Sequence, residues 1–269
     1  MSQVSGKKWP TLFISHGGGP WPWMDFGPQN PYQGLRAYLE NIPQKLGKPQ
    51  AILVISGHWE EKSFTVMTHE QPPMLYDYYG FPDETYKIHY KAQGSTTLVR
   101  RVHELLNKAG MPCEDDAERG FDHGVFVPLG VMFPKADVPL VQLSMKKTYD
   151  VQDHLNLGRA LAPLREEGVL IVGSGLSYHN LREFGQPRAI PASKQFDAWL
   201  TAAVTSGTGQ EREEKLRHWS EAPAARLAHP REDHLIPLMV AAGAAPEESA
   251  VKVYSDQMFG LEVSGFQFG

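Results

Sequence analysis

Leu12-Phe-Ile-Ser-His16-Gly-Gly-Gly19 and Ile52-Leu-Val-Ile-Ser-Gly-His58-Trp-Glu60 are two apolar runs that each end in a histidine. Short β-branched and aliphatic runs bounded by glycine and polar residues read as buried strands of an open α/β sheet. Such sheets place their ligand sites outside the carboxyl ends of the strands. The two runs therefore carry His16 and His58, 42 residues apart in sequence, to one edge of one sheet. A mononuclear metal site needs such a convergence.

Outward from these runs, strand and helix patterns alternate. A helix is expected near Tyr32 to Glu40, stopped before Pro43, and a second strand from Phe64 to Thr68. Ser95 reads as the N-cap of a helix that carries Leu98, Val99, Val102, Leu105 and Leu106 on one face and stops at Gly110. Pro139 to Ser144 and Val169 to Val172 read as further buried strands, separated by a helix from about Asp153 to Glu167. A helix near Lys194 to Ala203 and sheet at Val251 to Tyr254 and from Leu261 onward complete the pattern. Strands spaced by helices imply right-handed crossovers and a mainly parallel, mixed sheet covered on both faces, a three-layer α/β/α sandwich. No repeat, linker or low-complexity segment interrupts it, so residues 1–269 read as a single α/β domain.

Charge and cysteine content remove several function classes. A net charge of -5 without a basic stripe argues against nucleic acid. The one cysteine, Cys113, forms no internal disulfide, which suits a reducing compartment. Met1 to Pro10 lacks the apolar core of a signal peptide, and Leu235 to Pro246 falls short of the ~20 residues of a membrane helix. A cytoplasmic protein without membrane contact is expected, and the sequence leaves its oligomeric state open.

Eleven histidines are present, and several are ordinary. His103 lies off the apolar face of its helix, His154 and His218 occupy bland settings, and His69 and His89 flank loop ends. Six stand apart. His179 follows the run Val169 to Tyr178 just past a third strand end, and His123 lies in the glycine-flanked turn Gly120-Phe-Asp-His-Gly124. His234 precedes Pro237, which is tolerated only in a first helical turn and so places His234 near a helix N-terminus. The positive helix end disfavours imidazolium and favours the neutral ring that binds metal. His229, directly before Pro230, orients a neighbour or caps. Each histidine alone is more readily a hydrogen-bonded structural residue than a ligand. Their joint delivery to one edge favours a transition-metal site, since imidazole suits zinc, iron, copper or nickel rather than magnesium or calcium.

Two other motifs fail on inspection. His16-Gly-Gly-Gly19 resembles the oxyanion loop of esterases, but no Gly-x-Ser-x-Gly elbow exists. The same glycines suit a phosphate cradle, yet neither Gly-Lys-Ser/Thr nor Gly-x-Gly-x-x-Gly accompanies them. They are expected instead to let the backbone pass close to metal and ligand.

Six blocks occur in an order that resembles the class III extradiol ring-cleavage dioxygenases, DOPA 4,5-dioxygenase type, related to the catalytic subunit of protocatechuate 4,5-dioxygenase. They are Ser15-His-Gly-Gly-Gly-Pro20, Ser56-Gly-His-Trp59, Tyr76-Asp-Tyr-Tyr-Gly-Phe-Pro82, Gly120-Phe-Asp-His-Gly124, Ser177-Tyr-His-Asn-Leu181 and Asp233-His-Leu-Ile-Pro-Leu238. The resemblance covers nearly the whole chain and implies an α/β/α sandwich with one non-haem divalent metal. It implies that His16, His58 and His234 are ligands, that His179 is an acid/base or an additional ligand, and that His123 faces the substrate. Among the aromatics of these blocks, Tyr76, Tyr79 and Trp59 are expected at the substrate, with Trp21, Trp23, Tyr78 and Phe81 as further loop aromatics. The implied reaction opens a catechol, a 3,4-dihydroxyphenyl ring, with O₂. Many class III enzymes complete their ligand set with a glutamate, whereas this chain offers His234, as the DOPA-type branch does. A neutral third ligand favours a catecholate dianion and also makes the site friendlier to zinc. Fe(II) is thus expected for activity, with Zn(II) possible as isolated; Glu60 and Glu61 are offered as outer carboxylates or as solvated charges. A zinc hydrolase on the same site and a non-catalytic module of the same fold are the competing readings.

Overall fold

The computed structural model describes residues 8–207 and 209–269. In chain order the elements are β1 (Thr11–Ser15), α1 (Gln33–Leu46), β2 (Ala51–Glu61), β3 (Phe64–Met67), α2 (Thr96–Lys108), β4 (Cys113–Asp116), α3 (His123–Met132) and β5 (Leu140–Lys146). There follow α4 (Val151–Leu161), β6 (Val169–Gly175), α5 (Ile190–Thr205), α6 (Gly209–Arg217), α7 (Ala225–Ala228), α8 (Ile236–Gly243), β7 (Ala250–Met258) and β8 (Leu261–Phe268). One eight-stranded sheet has the order β4-β3-β5-β2-β6-β1-β8-β7. Its centre, β5-β2-β6-β1, is parallel, while β3 pairs antiparallel with β5 and β8 antiparallel with β1. This is the mixed, mainly parallel sheet expected from the sequence.

The period-2 alternation of the strands divides the core in two. Phe13, Leu53, Ile55 and Ile171 face a layer containing α2, α4, α5 and α8. Leu12, Ile14, Ile52, Val54, Leu170 and Val172 face α1, α3 and a set of loop aromatics led by Trp21. Both faces are thus covered, which is why the central strands read as unbroken apolar runs. Among the described residues no helix is long and apolar enough to cross a membrane.

The structure departs from expectation in several places. The helix expected to stop before Pro43 runs on to Leu46, with Ile42 buried in its last turns, and ends at Gly47, whose N–H reaches the Pro43 carbonyl. Near a C-terminus proline costs one hydrogen bond, and burial outweighs it. The helix expected to Glu167 is α4 followed by a 3₁₀ turn over Ala162–Arg165, broken where Pro163 removes a donor. β4 (Cys-Glu-Asp-Asp) and the charged α6 carry no apolar period and were invisible to it; acidic residues suit an edge strand.

The setting of His154 is not bland. It is fully buried, its Nδ1–H donates to the Asp150 carbonyl at 2.6 Å, and its Nε2 accepts the Lys146 N–H at 3.1 Å. Burial pushes its pKa down to about 4. The neutral ring is required, so stability is full above the unfolded value of about 6.5 and is lost as pH falls towards about 4, by about 3 kcal/mol in all. Chemical denaturation across that window checks this: the slope of stability against pH flattens in His154→Gln relative to wild type.

Candidate metal centre

Since β2, β6 and β1 are parallel neighbours, their carboxyl ends open on one edge. His16 is the first residue after β1, and its carbonyl accepts the Trp21 indole N–H at 2.8 Å. Gly17 turns the chain there at φ 77°, and a Cβ on it would fall 2.4 Å from that indole nitrogen. His58 lies within β2, where the register against β5 shifts between Ile55 and Glu60. Bulges of this kind re-aim a side chain. His234 arrives from the layer above, two residues before α8, with Pro237 in the first turn.

His58 Nε2 meets the Nε2 atoms of both other rings, His16 at 3.4 Å and His234 at 3.1 Å. Their outer nitrogens each face an oxygen. His58 Nδ1 lies 3.4 Å from Asp77 Oδ2, and His234 Nδ1 lies 3.2 Å from Asp233 Oδ2, off the line of a full hydrogen bond. Ser174 Oγ donates to the Gly124 carbonyl and so accepts from His16 Nδ1 at 3.4 Å. With the hydrogen on Nδ1, facing these oxygens, each Nε2 keeps a lone pair. Lone pairs pointed at one another repel unless a cation lies among them. The donor set fits a transition metal that takes neutral imidazole. Burial, reinforced by the neighbouring imidazoles, holds His16 and His58 well below the usual imidazole value and His234 at about 4, so the rings are neutral near pH 7.

Two further histidines flank the three. His123 is the first residue of α3, its ring 4.0 Å from that of His58, centre to centre. His16, His58 and His123 also offer nitrogens within 4.8 Å of one another. His123 Nδ1 is engaged with Asp77 Oδ1 at 2.8 Å. His179 stacks on His234 with ring centres 3.4 Å apart, and its Nδ1 lies 3.7 Å from Asp233 Oδ1. Burial would raise the Asp77 and Asp233 carboxyls, but their histidine partners reverse that and hold both below the usual carboxylate range, Asp233 far below. His229 is fully buried, and its Nε2–H donates to the Ser177 carbonyl at 3.0 Å. It supports the segment before His179.

Gly124 lies where α3 meets the cluster. A Cβ there would fall 2.4 Å from Ser56 Oγ, 2.9 Å from His16 Nδ1 and 3.0 Å from His58 Cδ2. Gly124→Ala is expected to cost about 1–3 kcal/mol of stability and to weaken metal binding, measured by chemical denaturation and metal titration.

The structure brings His16, His58, His123, His179 and His234 together. It does not bring all the aromatics. Tyr79 stands 90% exposed, and Trp59 is buried beneath the Arg119 guanidinium, 4.9 Å from its ring centre. Tyr76 donates its hydroxyl to the Ile88 carbonyl and packs on Tyr78, whose ring meets His123 edge-on at 5.9 Å. Phe81 packs on Gly19. Glu60 and Glu61 turn to Arg231 and Lys147, at 2.6 and 3.6 Å. The carboxylates that serve the rings are Asp77 and Asp233, which sequence reasoning missed. Asp233 adjoins a histidine of its own block, a usable hint; Asp77 sits among aromatics 46 residues from His123 and gave none.

Comparison with known proteins agrees with this architecture. The model of the catalytic LigB subunit of aromatic ring-opening dioxygenase matches residues 10–265. The chain is 41% identical over 248 residues to the 4,5-DOPA dioxygenase extradiol of Beta vulgaris, covering 90% of this chain and 89% of that one. It is 34% identical over 272 residues to the 4,5-DOPA dioxygenase extradiol of Escherichia coli (strain K12), covering 99% and 97%. The crystal structure of an uncharacterized protein from Escherichia coli K12 superposes with a TM-score of 0.78 at 31% identity, over 97% of this chain and all of that one. The chain belongs to the LigB family and is an extradiol-type aromatic ring-opening dioxygenase.

Proposed function

We propose that this enzyme opens the ring of a catechol, a 3,4-dihydroxyphenyl compound, with O₂, at one divalent metal held by His16, His58 and His234. The observation that carries the reading is the approach of His58 Nε2 to the Nε2 atoms of both His16 and His234. His234 is preferred to His123 as third ligand because its Nε2 faces that of His58 directly, while His123 is tied to Asp77 through both ring and main chain. Bound Fe(II) would supply Lewis acidity toward the two ring oxygens and redox capacity toward O₂.

The chain's own groups do the rest. With its Nδ1–H on Asp77, His123 presents Nε2 as an acceptor and takes a hydrogen bond from a substrate hydroxyl. His179, beside the cluster but facing no other Nε2, accepts a proton from the catechol and returns one as the ring opens. Tyr76, Tyr78 and Phe81 wall the ring of the substrate, while Trp59, next to His58 on β2, packs under the Arg119 guanidinium. Tyr79 is left at the mouth, in solvent. Both oxygen atoms enter the product, a hydroxymuconic semialdehyde-type compound.

Oxygen uptake with a catechol panel tests this. Protein loaded with Fe(II) consumes one O₂ per ring opened and gives a yellow product, while protein loaded with Zn(II), which is d¹⁰ and redox-inert, does neither. Ester or amide hydrolysis by the zinc form, with no oxygen uptake by the iron form, overturns the reading in favour of a hydrolase.

A further inference from the structure

We infer that Asp77 is a positioning residue that ties one metal ligand to one substrate-facing histidine and sets the tautomer of both. The inference rests on the reading of His58 as a ligand. Its Oδ2 lies 3.4 Å from His58 Nδ1, and its Oδ1 lies 2.8 Å from His123 Nδ1. Oδ1 also accepts the main-chain N–H of His123 at 3.0 Å, so one carboxylate spans two rings and the start of α3.

The last contact is unusual in origin. The residue placed to cap α3 is Asp122, yet its side chain makes no capping bond. It turns inward instead, accepting from Ser56 Oγ at 2.7 Å, from Arg119 at 2.8 Å and from the Gln142 amide. Ser56 Oγ in turn lies 3.2 Å from the His58 N–H, and Arg119 donates to the His58 carbonyl at 3.3 Å. Asp122 thus holds the main chain of His58 through its neighbours, and Asp77, from a distant loop, takes over the helix cap and holds the ring. An ordinary N-cap is satisfied by its own helix. Here the cap is exchanged for a contact that couples His58, His123 and the loop bearing Tyr76 and Tyr78.

Two consequences follow from chemistry alone. A carboxylate offers no hydrogen, so both rings must carry theirs on Nδ1, which leaves His58 Nε2 free for the ion and His123 Nε2 free to accept from substrate. Three imidazoles also leave the charge of a divalent ion unopposed, and Asp77 brings a negative charge one ring away. Outer partners of this kind orient a ligand and raise its basicity.

Asp77→Asn separates these effects from folding because it keeps shape. The amide oxygen can still accept from both His123 donors, while its NH₂ now faces His58 Nδ1 and drives the hydrogen of that ring onto Nε2. Long-range proton–nitrogen NMR on the metal-free full chain reads the tautomers, and titration with Co(II) reads affinity. Wild type is expected to show His58 and His123 both as Nδ1–H. In the variant His58 switches to Nε2–H, His123 does not, and Co(II) affinity falls by roughly 10–100-fold. Unchanged His58 in the variant, or Nε2–H on either ring in wild type, overturns the role given to Asp77. A switched tautomer with full Co(II) affinity keeps that role and instead refutes His58 as a ligand. The wild-type spectrum decides the matter even if the variant does not fold.

Discussion

His58→Ala is expected to bind no metal at stoichiometric concentrations and to lose roughly 10³-fold or more of its ring-opening activity. The Nε2 of His58 lies 3.4 Å from that of His16 and 3.1 Å from that of His234, so its loss removes the ring that meets both partners. An ion that stabilises developing charge by several kcal/mol is worth about that factor in rate. The variant should nevertheless fold, because the side chain is half-buried and the metal-free protein loses a repulsive lone pair with it. Thermal melting with and without added Co(II) measures the difference. Wild type gains stability from a ligand that binds only the folded state, and the variant gains none. Equal stabilisation of both would remove His58 from the ligand set.

His179→Ala is expected to keep the metal and lose about 10²–10⁴-fold in turnover, the usual worth of a positioned proton donor and acceptor. The ring stacks on His234 rather than pointing its nitrogens into the three-way contact, and its Nδ1 is directed at Asp233. Co(II) affinity and single-turnover kinetics separate the two roles. Loss of metal would make His179 a fourth ligand and empty the acid/base position.

The convergence of the histidines was legible in sequence because parallel strands share a direction. Three apolar runs each ending at or near a histidine must deliver them to one side, and β1, β2 and β6 do so as neighbours. Pro237 likewise fixed the start of α8 and with it the place of His234. Less was legible where a residue acts across the fold. His123 heads an almost wholly buried helix whose valines, glycines and proline have poor helical propensity, so its type is decided by packing. Asp77 meets His58 and His123 only through space, and nothing in local spacing distinguishes it from Glu60 and Glu61, which turn to cations at the surface. The aromatic residues divide for the same reason: Tyr78 reaches His123, while its neighbour Tyr79 points to water.

The central claim, that His16, His58 and His234 hold one ion at which a catechol is opened, is tested most directly by an anaerobic crystal structure of Fe(II)-loaded protein with a 3,4-dihydroxyphenyl compound. The account predicts a single ion on the three Nε2 atoms, both ring oxygens of the compound beside it, and His123 and His179 within reach of those oxygens. An ion held elsewhere, or a ring docked away from the five histidines, would contradict it.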